Sequence, residues 1–546
     1  MQTTGFSFRR ATSAWLLLFL LSTIGGVLIA YNPSAAWPRF WRIAGGLALY
    51  IGFAHTPERI HLGKWELSPL RLALGGLLTL VAMYFLLTNN WASRIGKLPW
   101  LDPALRWFSI WQTNLTVYGL NSNVIGGIIA AFIPLQVAAL IGNRSSRVWI
   151  SMVLVGLSAL GLLLSESRGA WLALAIVAGG WGLWKLISRR VVNQRQARTA
   201  WAVMVATGGL AFVVALTLTP LGDRLLNLRT DRLQVWHNSL DLASDYPVTG
   251  LGLGGFEMAY SSYVLLVHVP HTVHAHNLFL DVWLEQGLLG LLALGGLVIS
   301  AARPNASASR WRPTALASLC VILLHGLMDD VFYGYGGQAI PLLFLPLAIL
   351  VRPSRTPPAM MRGAQPMQLR PTLVLGGMAV VLLMIVSLSP GAQAMWEANL
   401  GALAQTQAEL SLYSNEQWGI QDALRRSPKV DLTPAIAHYQ AALAHDPTDA
   451  TANRRMGQIE LSLGQYDMAR RHLEAAYAAA PGQRATRQML GECYAIAGEI
   501  GQAVALWRTV DTGQGQLAVR ESWYYYLGEQ EKTAGIVRAA AALNRY

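Results

Sequence analysis

Apolar stretches long enough to cross ~30 Å of hydrocarbon as helices recur from one end of the first 390 residues to the other. They lie near 14–31, 37–54, 71–88, 119–141, 147–165, 170–187, 201–219, 277–300, 313–328, 336–351 and 372–389. Lipid offers the backbone no water, so a run of this length satisfies its own N–H and C=O groups by coiling into a helix. The chain therefore reads as all-α, a polytopic transmembrane bundle of about eleven spans in residues 1–390. Composition agrees, with 53% hydrophobic and only 13% charged residues, against ~25% charged in soluble domains. Residues 14–31 follow Arg9 and Arg10 as a secretory signal would, but no small-residue cleavage site leads on to a soluble domain, and they read as a retained first span.

A net charge of +13 would suggest nucleic acid in a soluble protein. Here the basic residues sit in short clusters between apolar runs, as cytoplasmic loops do, and nucleic acid is excluded as a partner. With the N-terminus inside, the inner segments hold Arg9 and Arg10, then Arg59, Lys64 and Arg71, then Arg144 and Arg147, then Lys185 to Arg198, Arg303 to Arg312, and Arg352 to Arg370. The outer face has little positive excess, apart from Arg94, Lys97 and Arg106 in the 89–118 loop. An odd number of spans leaves the C-terminal region outside, and the expected location is the cell inner (plasma) membrane. Cys320 and Cys493 lie too far apart in this topology to pair, and no CxxC site exists.

Beyond residue 390 the hydrophobicity falls and a 34-residue period appears. Gly457, Gly464, Tyr466, Ala469, Leu473, Ala476 and Pro481 are followed one period later by Gly491, Gly498, Ile500, Ala503 and Trp507. One period earlier stand Ala435, Tyr439, Ala442 and Pro447. The pattern resembles the tetratricopeptide repeat, where small residues let two antiparallel helices pack and proline ends the second. Residues 391–429 then read as a linker with an atypical helix, and 430–546 as an α-solenoid; an ordinary helical bundle is the plainer alternative. Such repeats bind peptides or proteins and carry no chemistry.

Chemistry is sought where polar groups cluster at the outer ends of spans. Ser165-Glu166-Ser167-Arg168 makes a tight turn between two apolar helices; an arginine there also snorkels readily to headgroups. Arg232 and Trp236 precede a glycine-rich run, Gly250 to Phe256, in the long outer loop 220–276. No strand precedes these glycines and they lie outside, so they do not cradle a nucleotide. His268, His271, His274 and His276 have zinc-binding donors but no Cys or HExxH-type pair beside them, and a solvated polar loop with no metal is the reading taken. Asn277, Asp281 and Glu285 follow on the next span, and His325, Asp329 and Asp330 end another.

The run His276-Asn277, nine residues, Gly287-Leu-Leu-Gly290 resembles the signature of the O-antigen ligase family, which includes O-antigen polymerases and some protein O-oligosaccharyltransferases. Ser165-Glu-Ser-Arg168-Gly resembles that family's Ser-x-Ser-Arg-Gly turn, and Asn121-Ser-Asn123 its Asn-x-Asn span. Arg232, Trp236 and Pro247-Val-Thr-Gly-Leu-Gly-Leu-Gly-x-Phe256 resemble its large extracytoplasmic loop. The resemblance covers roughly 115–350.

It implies a glycosyltransferase that moves a glycan from a polyprenyl-diphosphate carrier to a glycan, lipid or protein acceptor, with no nucleotide sugar, metal or other cofactor. Breaking the anomeric bond leaves charge on a lipid diphosphate, which guanidinium groups suit. Arg168 and Arg232 are assigned that role, Arg232 being chosen over Arg224 and Arg229 for its spacing to Trp236. Attack from the opposite face gives inversion, and His276 serves either as base or as diphosphate ligand. Trp236, Asn277, Asp281, Glu285, Asp329 and Asp330 are assigned to substrate binding, with a helix start at Asn277 and a neighbouring helix for the carboxylates as alternatives. A transporter of lipid-linked sugars would show two matching halves with broken helices, and no such duplication is legible. An inert scaffold would leave the Arg–His–Asn pattern without a purpose.

Overall fold

The computed structural model describes residues 10–55, 60–62, 65–67, 73–89, 102–110, 121–141, 148–191, single positions from 193 to 204, 232–264, 272–303, 311–334, 337–352, 389–411, 420–510 and 515–544. The expected spans at 201–219 and 372–389 lie essentially outside these residues, as do His268 and His271.

The first part of the chain is helical: α1 (Arg10–Leu28), α2 (Pro33–His55), α3 (Leu78–Thr88), α4 (Asp102–Ile110), α5 (Ser122–Ile141), α6 (Val148–Leu164), α7 (Arg168–Arg190), α8 (Leu233–Asp245), α9 (Phe256–Val264), α10 (Leu278–Ala302), α11 (Arg312–Gly326) and α12 (Ile340–Val351). One departure from an all-α chain is a short antiparallel hairpin, Ile60–Leu62 with Trp65–Leu67, in register Ile60 to Leu67. Both strands alternate apolar and polar residues, which is strand periodicity rather than helix periodicity. Among the described residues, three helices are long and apolar enough to cross a membrane, Ser122–Leu140, Arg168–Arg190 and Leu278–Ala302, and five shorter apolar helices accompany them.

These helices share one core that includes Phe19, Ile43, Ile129, Leu297, Ile322 and Phe344. Against lipid, helices associate through close packing rather than water exclusion, so small residues matter at their crossings. At Gly296 an added Cβ would lie 2.1 Å from Cδ2 of Trp15, so the indole of α1 occupies the space α10 leaves.

α10 is broken at Gly287, whose φ of 66° and ψ of −169° interrupt the helix. The break frees backbone groups, and the glycine-rich loop takes them: Leu251 N donates to Leu284 O at 2.6 Å, and Leu288 N to Val248 O at 3.1 Å. A Cβ on Gly250, at φ 73°, would overlap the backbone at Gly287, and a Cβ on Gly287 would overlap that of Val248 and Thr249. This interlock is the physical use of the glycines.

The second part begins with α13 (Pro390–Leu410), in the segment expected as a linker. It packs along α15 (Thr433–His445), beyond the short α14 (Gln421–Arg425). Then come the helical hairpins α16 (Ala450–Leu463) with α17 (Tyr466–Ala479), α18 (Arg484–Ile496) with α19 (Ile500–Trp507), and α20 (Gln516–Tyr526) with α21 (Gln530–Leu543). The first two hairpins are 34 residues apart, starting at 450 and 484. Their packing repeats too: Gly457 faces Leu473, and one period on Gly491 faces Trp507.

The two parts are joined by buried contacts. Asp245, at the end of α8, meets Arg454 and Arg455 of α16, with Nη2 of Arg455 at 2.7 Å. Asn399 of α13 accepts from Val248 N and Thr249 N.

Candidate active site

Three segments converge on the turn that follows α11, residues 327–334. The first is the turn between α6 and α7. Ser165 Oγ donates to Leu162 O at 2.7 Å, and Glu166 takes the left-handed conformation at φ 51°. Ser165, Glu166 and Ser167 are buried, and α7 starts at Arg168. Gly169 abuts His325 and Met328. Gly126 of α5, the helix opened by Asn121-Ser-Asn123, faces Ser165 and Ser167 so closely that no Cβ would fit.

The second segment is the start of α8. Arg232 donates to Met328 O and lies 3.6 Å from Oδ2 of Asp329. One turn on, Trp236 Nε1 donates to His276 O at 3.3 Å.

The third is the approach to α10. His276 is the other left-handed non-glycine residue among those described, at φ 54°. Such backbone strain concentrates at functional sites. Its Nδ1 lies 3.1 Å from Oδ1 of Asp329. Asn277 caps α10, accepting from Phe279 N and Leu280 N, and its amide donates to Leu327 O.

Asp329 thus sits between a guanidinium and an imidazole. Burial raises its pKa, but the His276 hydrogen bond and the Arg232 charge outweigh that and hold its carboxyl well below the usual range. Asp330 is different. Burial and the neighbouring Asp281 carboxyl push its pKa well up, and the two carboxyls share a hydrogen bond, which requires a proton on one of them. Asp281 Oδ1 also accepts from Ala275 N at 2.8 Å. Burial pushes His274 down to about 3, so it is neutral at pH 7. It is not the solvated loop histidine expected, since only 2% of it is exposed.

The structure thus gathers Arg232, Trp236, His276, Asn277, Asp329 and Asp330 around one turn, with the Arg168 end of α7 packed against it. Glu285 lies deeper, with Oε1 accepting from Gly254 N at 3.0 Å and Oε2 2.5 Å from Nε of Arg39. Arg39 also donates to Tyr333 O and stacks over the Tyr333 ring. Sequence reading passed over Arg39, although an arginine within an apolar span is itself the signal for a buried partner.

Among the described residues, His274, His276 and Asp329 are a group whose ligand atoms lie within 4.8 Å of one another, the spacing of a metal site. The fixed positive charge of Arg232 beside the same carboxylate opposes a cation there.

Residues 153–295 match the sequence model of a family described as O-antigen ligase. This stretch belongs to the O-antigen ligase family. No curated protein and no solved structure matches the chain. The protein is a membrane protein with a glycosyltransferase domain of that ligase and polymerase family. The O-antigen ligase match holds Arg168, Arg232, Trp236, His276, Asn277, Asp281 and Glu285, while Asp329 and Asp330 stand beyond it on the turn that completes the site.

Proposed function

We propose that this O-antigen ligase-like protein transfers a glycan from a polyprenyl-diphosphate carrier to an acceptor hydroxyl, without metal and with inversion, on the extracytoplasmic face of the inner membrane. The observation that carries this reading is the pairing of His276 with Asp329 beside Arg232. With Nδ1 of His276 donating to Asp329, Nε2 carries the lone pair and takes the acceptor's proton. The acceptor oxygen bonds to the anomeric carbon as the bond from that carbon to the phosphate oxygen breaks. The electron pair leaves with the lipid diphosphate, which Arg168 and Arg232 hold by charge-assisted hydrogen bonds. Two described contacts of Arg232 draw on a group with five N–H donors, so an anion can be bound without releasing Asp329.

Asp330, Asp281 and Asn277 shape the pocket and its proton balance in this reading, and Trp236 holds the His276 backbone. About eleven spans place the N-terminus inside and the repeat array outside. The array is read as a tetratricopeptide-type solenoid for a protein partner or acceptor. Polymerisation or protein O-glycosylation uses the same chemistry with another acceptor.

The test is a transfer assay in liposomes with extracted polyprenyl-diphosphate oligosaccharide, candidate acceptors and EDTA, comparing wild type with Arg168→Ala, Arg232→Ala and His276→Ala. The expected result is EDTA-resistant transfer that the folded variants lose, and the acceptor consumed separates ligase from polymerase. Labelled lipid-linked sugar crossing the bilayer with no acceptor glycosylated would replace the enzyme reading with transport. Transfer abolished by EDTA would return His274, His276 and Asp329 to the role of metal ligands.

A further inference from the structure

α8 is a straight connection between the candidate site and the C-terminal array. Arg232 and Trp236 stand at its first turns, on Asp329, Met328 and His276. Asp245 stands at its last residue, fully buried between two arginines of α16. A helix of 13 residues is about 20 Å long and does not flex appreciably over that distance.

The far end is held unusually firmly. Nε and Nη2 of Arg455 lie 3.0 Å and 2.7 Å from Oδ2 of Asp245, a fork on one oxygen. Arg454 and the Thr451 hydroxyl donate to Oδ1. Next in sequence, the Tyr246 hydroxyl meets Thr406 at 2.6 Å and accepts from Arg455 at 2.9 Å. All three charges are buried, so removing the carboxylate strands two guanidinium groups away from water. Ordinary surface docking of an accessory domain needs none of this.

We propose that the C-terminal array positions the reacting centre through α8: the clamp of Arg454 and Arg455 on Asp245 sets where Arg232 stands at the other end, so the array is part of the enzyme and not an appendage. The proposal rests on Arg232 acting as a diphosphate ligand, as above. A shift of about 1 Å at a reacting group can cost on the order of 10²-fold in rate, so a small tilt of α8 suffices. Asp245 and Arg455 are positioning residues in this scheme, since neither touches substrate.

The experiment uses the full-length protein in liposomes and combines Asp245→Asn with Arg232→Ala in a double-mutant cycle. The expected result is that Asp245→Asn lowers kcat at least about tenfold with the acceptor KM unmoved, and adds nothing to the loss already caused by Arg232→Ala. Arg520→Gln, which cuts the buried pairing with Asp422 and Glu492 inside the array, serves as the stability control and leaves kcat unchanged. If Asp245→Asn fails to fold, Tyr246→Phe, which removes only the clamped hydroxyl, replaces it with the same expected non-additivity. Multiplicative losses from Asp245→Asn and Arg232→Ala, or an unchanged kcat in Asp245→Asn, overturn the proposal. Full transfer by Arg232→Ala on its own overturns instead the reading of Arg232 on which it rests.

Discussion

Nδ1 of His276 and Oδ1 of Asp329 lie 3.1 Å apart, across 53 residues of sequence and two helices. The contact turns an isolated histidine at a helix start into an oriented one, because the bond at Nδ1 fixes the plane of the ring. Removal of the imidazole in His276→Ala is expected to lower transfer by about 10²- to 10⁴-fold, the usual worth of a general base. Asp329→Asn keeps the size but not the charge, and is expected to fall between His276→Ala and wild type. Single-turnover rates with saturating lipid-linked donor check both.

In the proposed mechanism Arg168→Ala and Arg232→Ala each remove a fixed cation from the developing diphosphate. Each is expected to cost about 10²- to 10³-fold in kcat, as the loss of one oxyanion donor does elsewhere. Lysine at either position restores charge without the two-pronged geometry and is expected to recover only part of the rate. Rates with donors of equal glycan but different lipid length show whether the loss follows the diphosphate.

Gly287→Ala meets Val248 O at 2.1 Å while forced to φ 66°. It is expected to destabilise the protein by more than about 2 kcal/mol, since both the backbone and the interlocked loop must move. Gly295, eight residues on in the same helix, has nothing within 4 Å of an added Cβ. Gly295→Ala is expected to gain about 0.5 kcal/mol or more from the lost backbone freedom of the unfolded chain. Thermal unfolding of the two variants in one detergent gives opposite signs.

His274 carries an acid sensitivity. Its folded pKa of about 3 lies below the ordinary value near 6.5, so between these limits the unfolded chain binds a proton that the folded one refuses. Stability is untouched above pH 7 and is lost as pH falls through that window. The groups facing it are His276, Asp281, Asp329, Arg39 and Arg232. His274→Gln removes the titration, and its unfolding temperature is expected to fall less between pH 7 and pH 4 than that of wild type.

Asp245 has the opposite sign. Burial raises its pKa, but Arg454 and Arg455 outweigh that and hold it below the usual carboxylate value. Its stabilisation is therefore present above about pH 4 and lost as pH falls through the lower folded value. The array is expected to resist limited proteolysis at pH 5 and to loosen from α8 only in stronger acid. In Asp245→Asn it is loose at both.

The helical character of the chain was legible in the sequence because lipid leaves an apolar run one way to satisfy its backbone. The 34-residue hairpin repeat was legible because Gly457 and Gly491 must be small wherever a second helix crosses. The turn at Arg168 and the start at His276 were legible because polar residues at the ends of apolar helices are costly without a purpose. Partnerships were not. That Glu285 is occupied by Arg39 and Gly254, that His274 is buried, and that Asp329 joins Arg232 to His276 depend on which helices lie side by side. Each of these contacts spans tens to hundreds of residues, and no local pattern encodes it. The clamp on Asp245 shows the same limit most plainly: Asp245 reads in sequence as a loop carboxylate, and only packing against α16, 209 residues on, makes it the fixed end of the helix that carries Arg232.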